Sequence, residues 1–146
     1  MAGDVGSSGT AKAPWHLWVI GLLALLWYVS GTATIQLAQL GKLPGITPDE
    51  AAYYAAKPAW AIMVTAVGTY GSVLATILLL LRRKASVVLF ALALAAVLGG
   101  NGVELIEGTS RAYANTGAAF AIAAIAAIAI GLALYARAMR MRDVLH

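Results

Sequence analysis

Four long apolar runs dominate the sequence and limit what the chain can fold into. They cover about residues 15–40, 58–81, 85–105 and 113–136. Each approaches or exceeds the roughly 20 residues that a helix needs to cross a hydrocarbon core about 30 Å thick. Because lipid offers no hydrogen-bond partner to backbone amides, runs of this kind must be helical. We therefore predict an all-α integral membrane protein whose residues 15–140 form an up-down bundle of four transmembrane helices.

Composition agrees with a membrane environment. The chain is 62% hydrophobic and 11% charged, whereas soluble domains have roughly 45–50% apolar and about 25% charged residues. In water such a chain would expose large apolar patches of the kind that aggregate. The net charge of +4 does not indicate nucleic-acid binding, because the basic residues sit at the ends of the apolar runs. The lipid bilayer is the predicted partner.

The basic residues also predict an orientation. Seven of the ten fall on one side of the predicted bundle (Lys12, Arg82, Arg83, Lys84, Arg137, Arg140, Arg142) and the others on the opposite side (Lys42, Lys57, Arg111). The positive-inside rule then places both termini in the cytoplasm, with residues 1–14 as a flexible tail and 141–146 as a second tail. One alternative stays open: the first run, with small residues at 30–33, could be a cleaved secretory signal. Three spans would then remain in the same orientation.

The segment between the first two runs has a helix signal of its own. Thr47, followed by Pro48 and then by Glu50, fits a capping box with proline at the first helical position. We predict a short interfacial helix from Pro48, between spans 1 and 2, with Tyr53 and Tyr54 in the membrane interface. Pro58 should end it, because the residue before a proline disfavours helical geometry.

Enzyme and cofactor chemistry is not expected. The chain has no cysteine, which excludes thiolate metal sites and iron–sulfur clusters. A bis-histidine haem needs two histidines facing each other inside the bundle, but His16 lies at the edge of a span and His146 is the last residue. No span offers a nucleophile near a histidine or a cluster of metal ligands. We predict no catalytic residue, no cofactor and no metal.

Polar residues near the end of the third run allow two interpretations. Asn101, Glu104, Glu107 and Arg111 recur at helical spacing, and Glu104 lies about 28 Å along the span, close to its outer end. The first interpretation is a hydrated rim in which Glu107 and Arg111 form an i,i+4 pair. The second is a site at which a solute or cation enters.

Aromatic and hydroxyl side chains at mid-depth pose a similar choice. Trp27, Tyr28 and Tyr70 fall near the bilayer centre, where a tyrosine hydroxyl needs a partner, and Thr65 and Thr69 lie at similar depth in the second span. They form either a hydrogen-bonded core or a small polar cavity whose aromatic walls stack on a sugar ring or other small solute. The candidate solute-lining residues are Trp27, Tyr28, Thr65, Thr69, Tyr70, Asn101 and Glu104.

Several short segments together carry a family resemblance. They are residues 14–18 (PWHLW), 24–27 (ALLW), 47–50 (TPDE), 58–60 (PAW) and 78–83 (LLLLRR). Over roughly residues 14–140 the chain resembles a family of small, uncharacterised four-span inner-membrane proteins of proteobacteria, often labelled "sugar transporter". The resemblance implies a multi-pass protein of the bacterial inner (plasma) membrane and supplies no ligand residue.

Two functional classes stay open at this point. The first is a non-enzymatic accessory or structural component that packs against itself or within a larger membrane complex. The second is a small-solute (sugar-like) transporter, which would act as a homo-oligomer because four short helices can hardly enclose a path alone. The first is favoured because the predicted middle of the membrane has no ionisable group.

Overall fold

The computed structural model describes residues 12–107 and 116–146, without the side chains of 116–119 and 121. It contains helices α1 (Trp15–Gln39), α2 (Pro48–Ala55), α3 (Ala59–Leu80), α4 (Ala85–Ile106) and α5 (Thr116–Met141). Over the described residues α1, α3, α4 and α5 are long and apolar enough to cross a membrane. The predicted fold class is confirmed, including the short helix between the first two spans.

Helices α1, α3 and α4 begin and end within one residue of the apolar runs 15–40, 58–81 and 85–105, whereas α5 differs from the run 113–136. This helix continues to Met141 rather than ending at 136, because Arg137 and Arg140 are good helix formers whose long side chains reach water from a further turn. The predicted beginning of this span at 113, most of the 1–14 tail and Arg111 lie outside the described residues.

Helices α3 and α4 form the tightest pair of the bundle, and α1 packs on α3 while α5 packs on α4. Small residues allow this close approach, as is usual between membrane helices. A Cβ atom added to Gly68 would lie 3.0 Å from Cγ2 of Val97, and one added to Gly71 would lie 3.5 Å from Cβ of Ala93. The close contact between α3 and α4, here called the seam, therefore depends on Gly68 and Gly71 having no side chain.

Hydroxyl groups of α3 donate to carbonyl groups of their own helix. Ser72 Oγ donates to the Gly68 carbonyl at 2.6 Å, and Thr76 Oγ1 donates to the Ser72 carbonyl at 2.8 Å. Thr69 Oγ1 donates in the same way to the Thr65 carbonyl at 2.9 Å. These three hydroxyl protons are thus used within α3, and the close contacts of small residues are what join α3 to α4.

The packed core lies toward the end of the bundle that carries most of the basic residues (Lys12, Arg82, Arg83, Lys84, Arg137, Arg140, Arg142), here called the basic end. Leu17, Leu79, Phe90 and Met139 are all buried there, each 2% exposed or less. Across the same end His16 Nδ1 and the Tyr135 hydroxyl form a 2.7 Å hydrogen bond that joins α1 to α5. The opposite end, which carries α2, is here called the α2 end.

Residues 141–146, expected as a tail, fold back onto the turn between α3 and α4. Val144 and Leu145 are 4% and 1% exposed and belong to the core. The His146 N–H donates to the Arg82 carbonyl at 2.8 Å, and Arg82 Nε donates to the Val144 carbonyl at 2.9 Å. Two adjacent apolar side chains explain the return, since they would otherwise face water.

Candidate functional site

A cavity of about 320 Å³ lies at the α2 end of the bundle. Helices α1, α3, α4 and α5 provide mainly apolar walls, among them Ile35, Val64, Val97 and Ile125. The segment around α2 contributes Tyr53, Tyr54 and Lys57. A pocket with apolar walls and a few convergent polar groups is the usual form of a small-molecule site.

The polar cluster of the cavity consists of Tyr53, Tyr54, Lys57 and Glu104. Oε1 of Glu104 accepts a hydrogen bond from Lys57 Nζ at 2.6 Å, and Oε2 accepts one from the Tyr53 hydroxyl at 2.7 Å. The side chains of Lys57 and Glu104 are only 11% and 17% exposed. Charge-assisted hydrogen bonds of this length in a poorly hydrated place are among the stronger ones in proteins. They tie the α2 segment to the last turn of α4.

Two aromatic rings complete the surroundings of the Lys57 ammonium. Nζ lies 5.0 Å from the ring centroid of Tyr53 and 5.7 Å from that of Tyr54. The two rings themselves meet edge to face, with centroids 5.3 Å apart. Burial raises the pKa of Tyr54, and the carboxylates of Glu50 and Glu104 raise it further. Both the burial and the nearby negative charges therefore keep Tyr54 a neutral phenol whose ring face attracts cations.

Local sequence explains how the polar cluster is assembled. The capping box starts α2 as predicted: the Glu50 N–H donates to Thr47 Oγ1 at 3.3 Å, and the Thr47 N–H donates to Glu50 Oε2 at 2.8 Å. This helix has only eight residues, so its last turn carries Tyr53 and Tyr54. Lys57 follows in the bend before Pro58 and lies one helical turn beyond Tyr53, on the same side.

The cap provides a direct test of this assembly. Replacing Thr47 with alanine removes the acceptor for the Glu50 N–H and should cost α2 about 1 kcal/mol of local stability. We expect faster amide hydrogen exchange in residues 49–55 and little change in the exchange of other segments. Mass spectrometry of the protein in detergent measures this. Thr47→Ser retains the hydroxyl and serves as the control. Equal exchange in both variants would contradict the role of the cap.

Four of the candidate solute-lining residues meet at this cavity: Thr65, Thr69, Asn101 and Glu104. Thr65 and Thr69 are predicted at mid-depth in the second span, and Asn101 and Glu104 near the outer end of the third, so the sequence did not predict that the two groups share one cavity. The Asn101 side-chain amide donates to the Val97 carbonyl of its own helix at 2.7 Å. Glu107 is exposed beyond the cavity, and its predicted pairing with Arg111 lies outside the described residues.

The other three candidates do not line this cavity. Trp27, 46% exposed, borders an open apolar groove between α1 and α5, and Tyr70, 53% exposed, lies on the outer surface of the bundle. Tyr28 is 8% exposed; its hydroxyl lies near Ser72 and makes no hydrogen bond within the described residues. Rise per residue gives depth but not the direction in which a side chain points.

The aromatic part of the cavity comes instead from Tyr53 and Tyr54, which the sequence had suggested only as interfacial anchors. Lys57 was counted only as a basic residue of its loop. One signal was available: Tyr53 and Lys57 are four residues apart, which brings a ring and an ammonium to the same side of a helical turn.

On the side of α3 and α4 the cavity is closed toward the basic end. Directly below these two walls lie Ser72, Ala75, Thr76, Phe90 and Ala93, each 3% exposed or less. The described residues include no cluster of three or more His, Asp or Glu side chains that could hold a metal ion.

Comparison with known proteins adds no information about the site. No protein-family model, no curated protein and no solved structure matches this chain.

Proposed function

We propose that this protein is a non-enzymatic, multi-pass component of the bacterial inner membrane that binds a small amphipathic molecule at its α2 end. The observation that supports the proposal is the cavity of about 320 Å³, whose apolar walls end in the ion pair of Lys57 and Glu104. Ligand pockets of proteins usually measure about 300–1,000 Å³ and combine apolar walls with a few oriented polar groups. The cavity therefore fits a small ligand.

The direction of the pocket follows from charge. With the basic end in the cytoplasm, as the positive-inside rule requires, the α2 end and its cavity face the outside of the cell. A ligand would then arrive from the aqueous phase or from the outer leaflet. Packed residues of α3 and α4 close their side of the cavity below, which supports binding without crossing, the behaviour of an accessory component.

A pair of adjacent alanines in α4 tests the proposal. Ala96 lines the cavity, and Ala95 is exposed on the outside of the same helix. Ala96→Phe should fill the cavity, whereas Ala95→Phe should leave it open. We expect native mass spectrometry of protein purified in mild detergent to show a small molecule bound to the wild type and to Ala95→Phe, and none on Ala96→Phe.

Two outcomes would contradict the binding proposal. If the occupancy of all three proteins is the same, or if none holds a small molecule and none binds 1-hexanol, an apolar alcohol of suitable size, the binding proposal is wrong. The same spectra report the mass of the assembly. A defined complex with other membrane proteins supports the accessory role.

A transport function is the second candidate, and one observation favours it. The bundle is joined at each end by a polar contact: Lys57 with Glu104 at the α2 end and His16 with Tyr135 at the basic end. Two polar closures on either side of a cavity suit alternating access, provided a homo-oligomer completes the path. Uptake of radiolabelled sugars into proteoliposomes tests this; uptake by the wild type that Ala96→Phe abolishes would favour transport over accessory binding.

A further inference from the structure

The Lys57 ammonium sits in surroundings that are selective for a cation. The faces of Tyr53 and Tyr54 lie 5.0 and 5.7 Å from Nζ, and Oε1 of Glu104 lies 2.6 Å from it. Aromatic faces and a carboxylate arranged around one point are the means by which proteins recognise ammonium groups. We call Tyr53, Tyr54 and Glu104 the amine cage.

The Lys57 ammonium occupies the amine cage, and only the side chain of this residue enters it. Lys57 lies in the bend between α2 and α3, outside both helices. Its long aliphatic stem can carry the ammonium from the cage to the aqueous interface without a change in the backbone. Departure of Lys57 would leave the rings of Tyr53 and Tyr54 and Oε1 of Glu104 open to a second ammonium group.

We propose that the amine cage binds the ammonium group of an amphipathic ligand, and that Lys57 fills the cage while the ligand is absent. This inference rests on the proposed function, because the apolar part of the ligand would occupy the cavity between α3, α4 and α5. The ligand is thus an amine with a short apolar portion. Lys57 acts as a tethered competitor that lowers the affinity for it.

The decisive experiment compares two probes that differ in charge. Hexyltrimethylammonium carries the ammonium group, and 1-hexanol has a similar apolar chain without it. Each is titrated by calorimetry into the full chain in phosphatidylglycerol nanodiscs, whose lipids carry no ammonium group. We expect Lys57→Met to bind hexyltrimethylammonium about tenfold more tightly than the wild type does, with no change for hexanol.

Controls separate the amine cage from general effects of charge. Lys42→Met removes an exposed basic residue on the same side of the bundle and should leave both affinities unchanged. Adding Tyr54→Leu to Lys57→Met removes one ring of the cage, and we expect the affinity for hexyltrimethylammonium to fall about tenfold, the size of a desolvated cation–π contact. Hexanol binding should persist in that double variant.

The source of the natural ligand is distinguished by the lipid. If the amine belongs to a lipid headgroup, phosphatidylethanolamine nanodiscs should reduce the tenfold gain in affinity of Lys57→Met over the wild type. If the amine is a soluble molecule, that gain should be the same in both kinds of nanodisc, because the difference in surface charge acts equally on the two proteins. Either result agrees with the amine cage.

Failure of the cage and failure of the cavity look different. Equal affinities of the wild type, Lys57→Met and the double variant for hexyltrimethylammonium would overturn the cage while hexanol binding upheld the cavity. Absence of binding of both probes in every variant would overturn both. If Lys57→Met does not fold, NMR of the wild type tests the proposal instead. The ring-shifted Lys57 ε-methylene resonance must move toward its free position as hexyltrimethylammonium binds, and an unmoved resonance would overturn the proposal.

Discussion

Replacing Glu104 with glutamine is expected to destabilise this protein by about 1–3 kcal/mol, because two poorly hydrated hydrogen bonds lose their charged acceptor. Lys57 is 11% exposed at its side chain and loses its anionic partner, while Tyr53 loses a charged acceptor. The measurement is the free energy of unfolding in mixed detergent micelles, followed by the circular dichroism of the helices.

Glu107→Gln is the matched control for this prediction. Glu107 lies three residues farther along and is exposed, so its replacement should change the unfolding free energy by less than about 0.5 kcal/mol. The double variant Lys57→Met with Glu104→Leu should recover most of the loss, because well-packed apolar residues often replace a buried ion pair without cost. Equal stability of Glu104→Gln and Glu107→Gln would show that the ion pair contributes nothing.

Replacing Gly68 with valine is expected to open the seam between α3 and α4 and to cost about 1–3 kcal/mol, the usual penalty for overpacking. The added Cβ alone would lie 3.0 Å from Cγ2 of Val97 and 3.7 Å from the Val97 backbone nitrogen. A valine adds two methyl groups beyond that atom. The helices must then separate, and lipid provides no hydrophobic force between helices to hold them together.

Gly99→Val is the control for the seam. A Cβ added to Gly99 meets no atom within 4 Å, and the substitution makes the same change in helix propensity. The two variants are compared by unfolding free energy and by the yield of a disulfide between cysteines introduced at Gly71 and Ala93. If Gly68→Val and Gly99→Val are equally stable and cross-link equally well, the close packing at Gly68 is not needed.

Features that depend on neighbouring residues in the chain could be predicted from the sequence. The capping box at Thr47 and Glu50 forms as expected, because its two hydrogen bonds join residues only three positions apart in the chain. The position of Glu104 in the last turn of α4 likewise followed from the rise per residue along its helix. Both kinds of inference use only the helical repeat.

Directions of side chains could not be predicted in the same way. Tyr70 and Trp27 were expected on the inside because they lie at mid-depth, yet both are about half exposed. Apolar residues occupy every face of α1, so hydropathy alone does not indicate which of its sides faces another helix. In a soluble protein the polar face would have supplied that information.

The sequence by itself determined the number of membrane-spanning helices and the short helix before α3, because apolar length and backbone hydrogen bonding act locally within each segment. Only the tertiary structure decided that Lys57 meets Glu104 beneath two tyrosines, and that Val144 and Leu145 return to the core. Those contacts join residues far apart in the chain. Their geometry depends on how each helix is rotated against its neighbours, and in lipid that rotation is decided by packing.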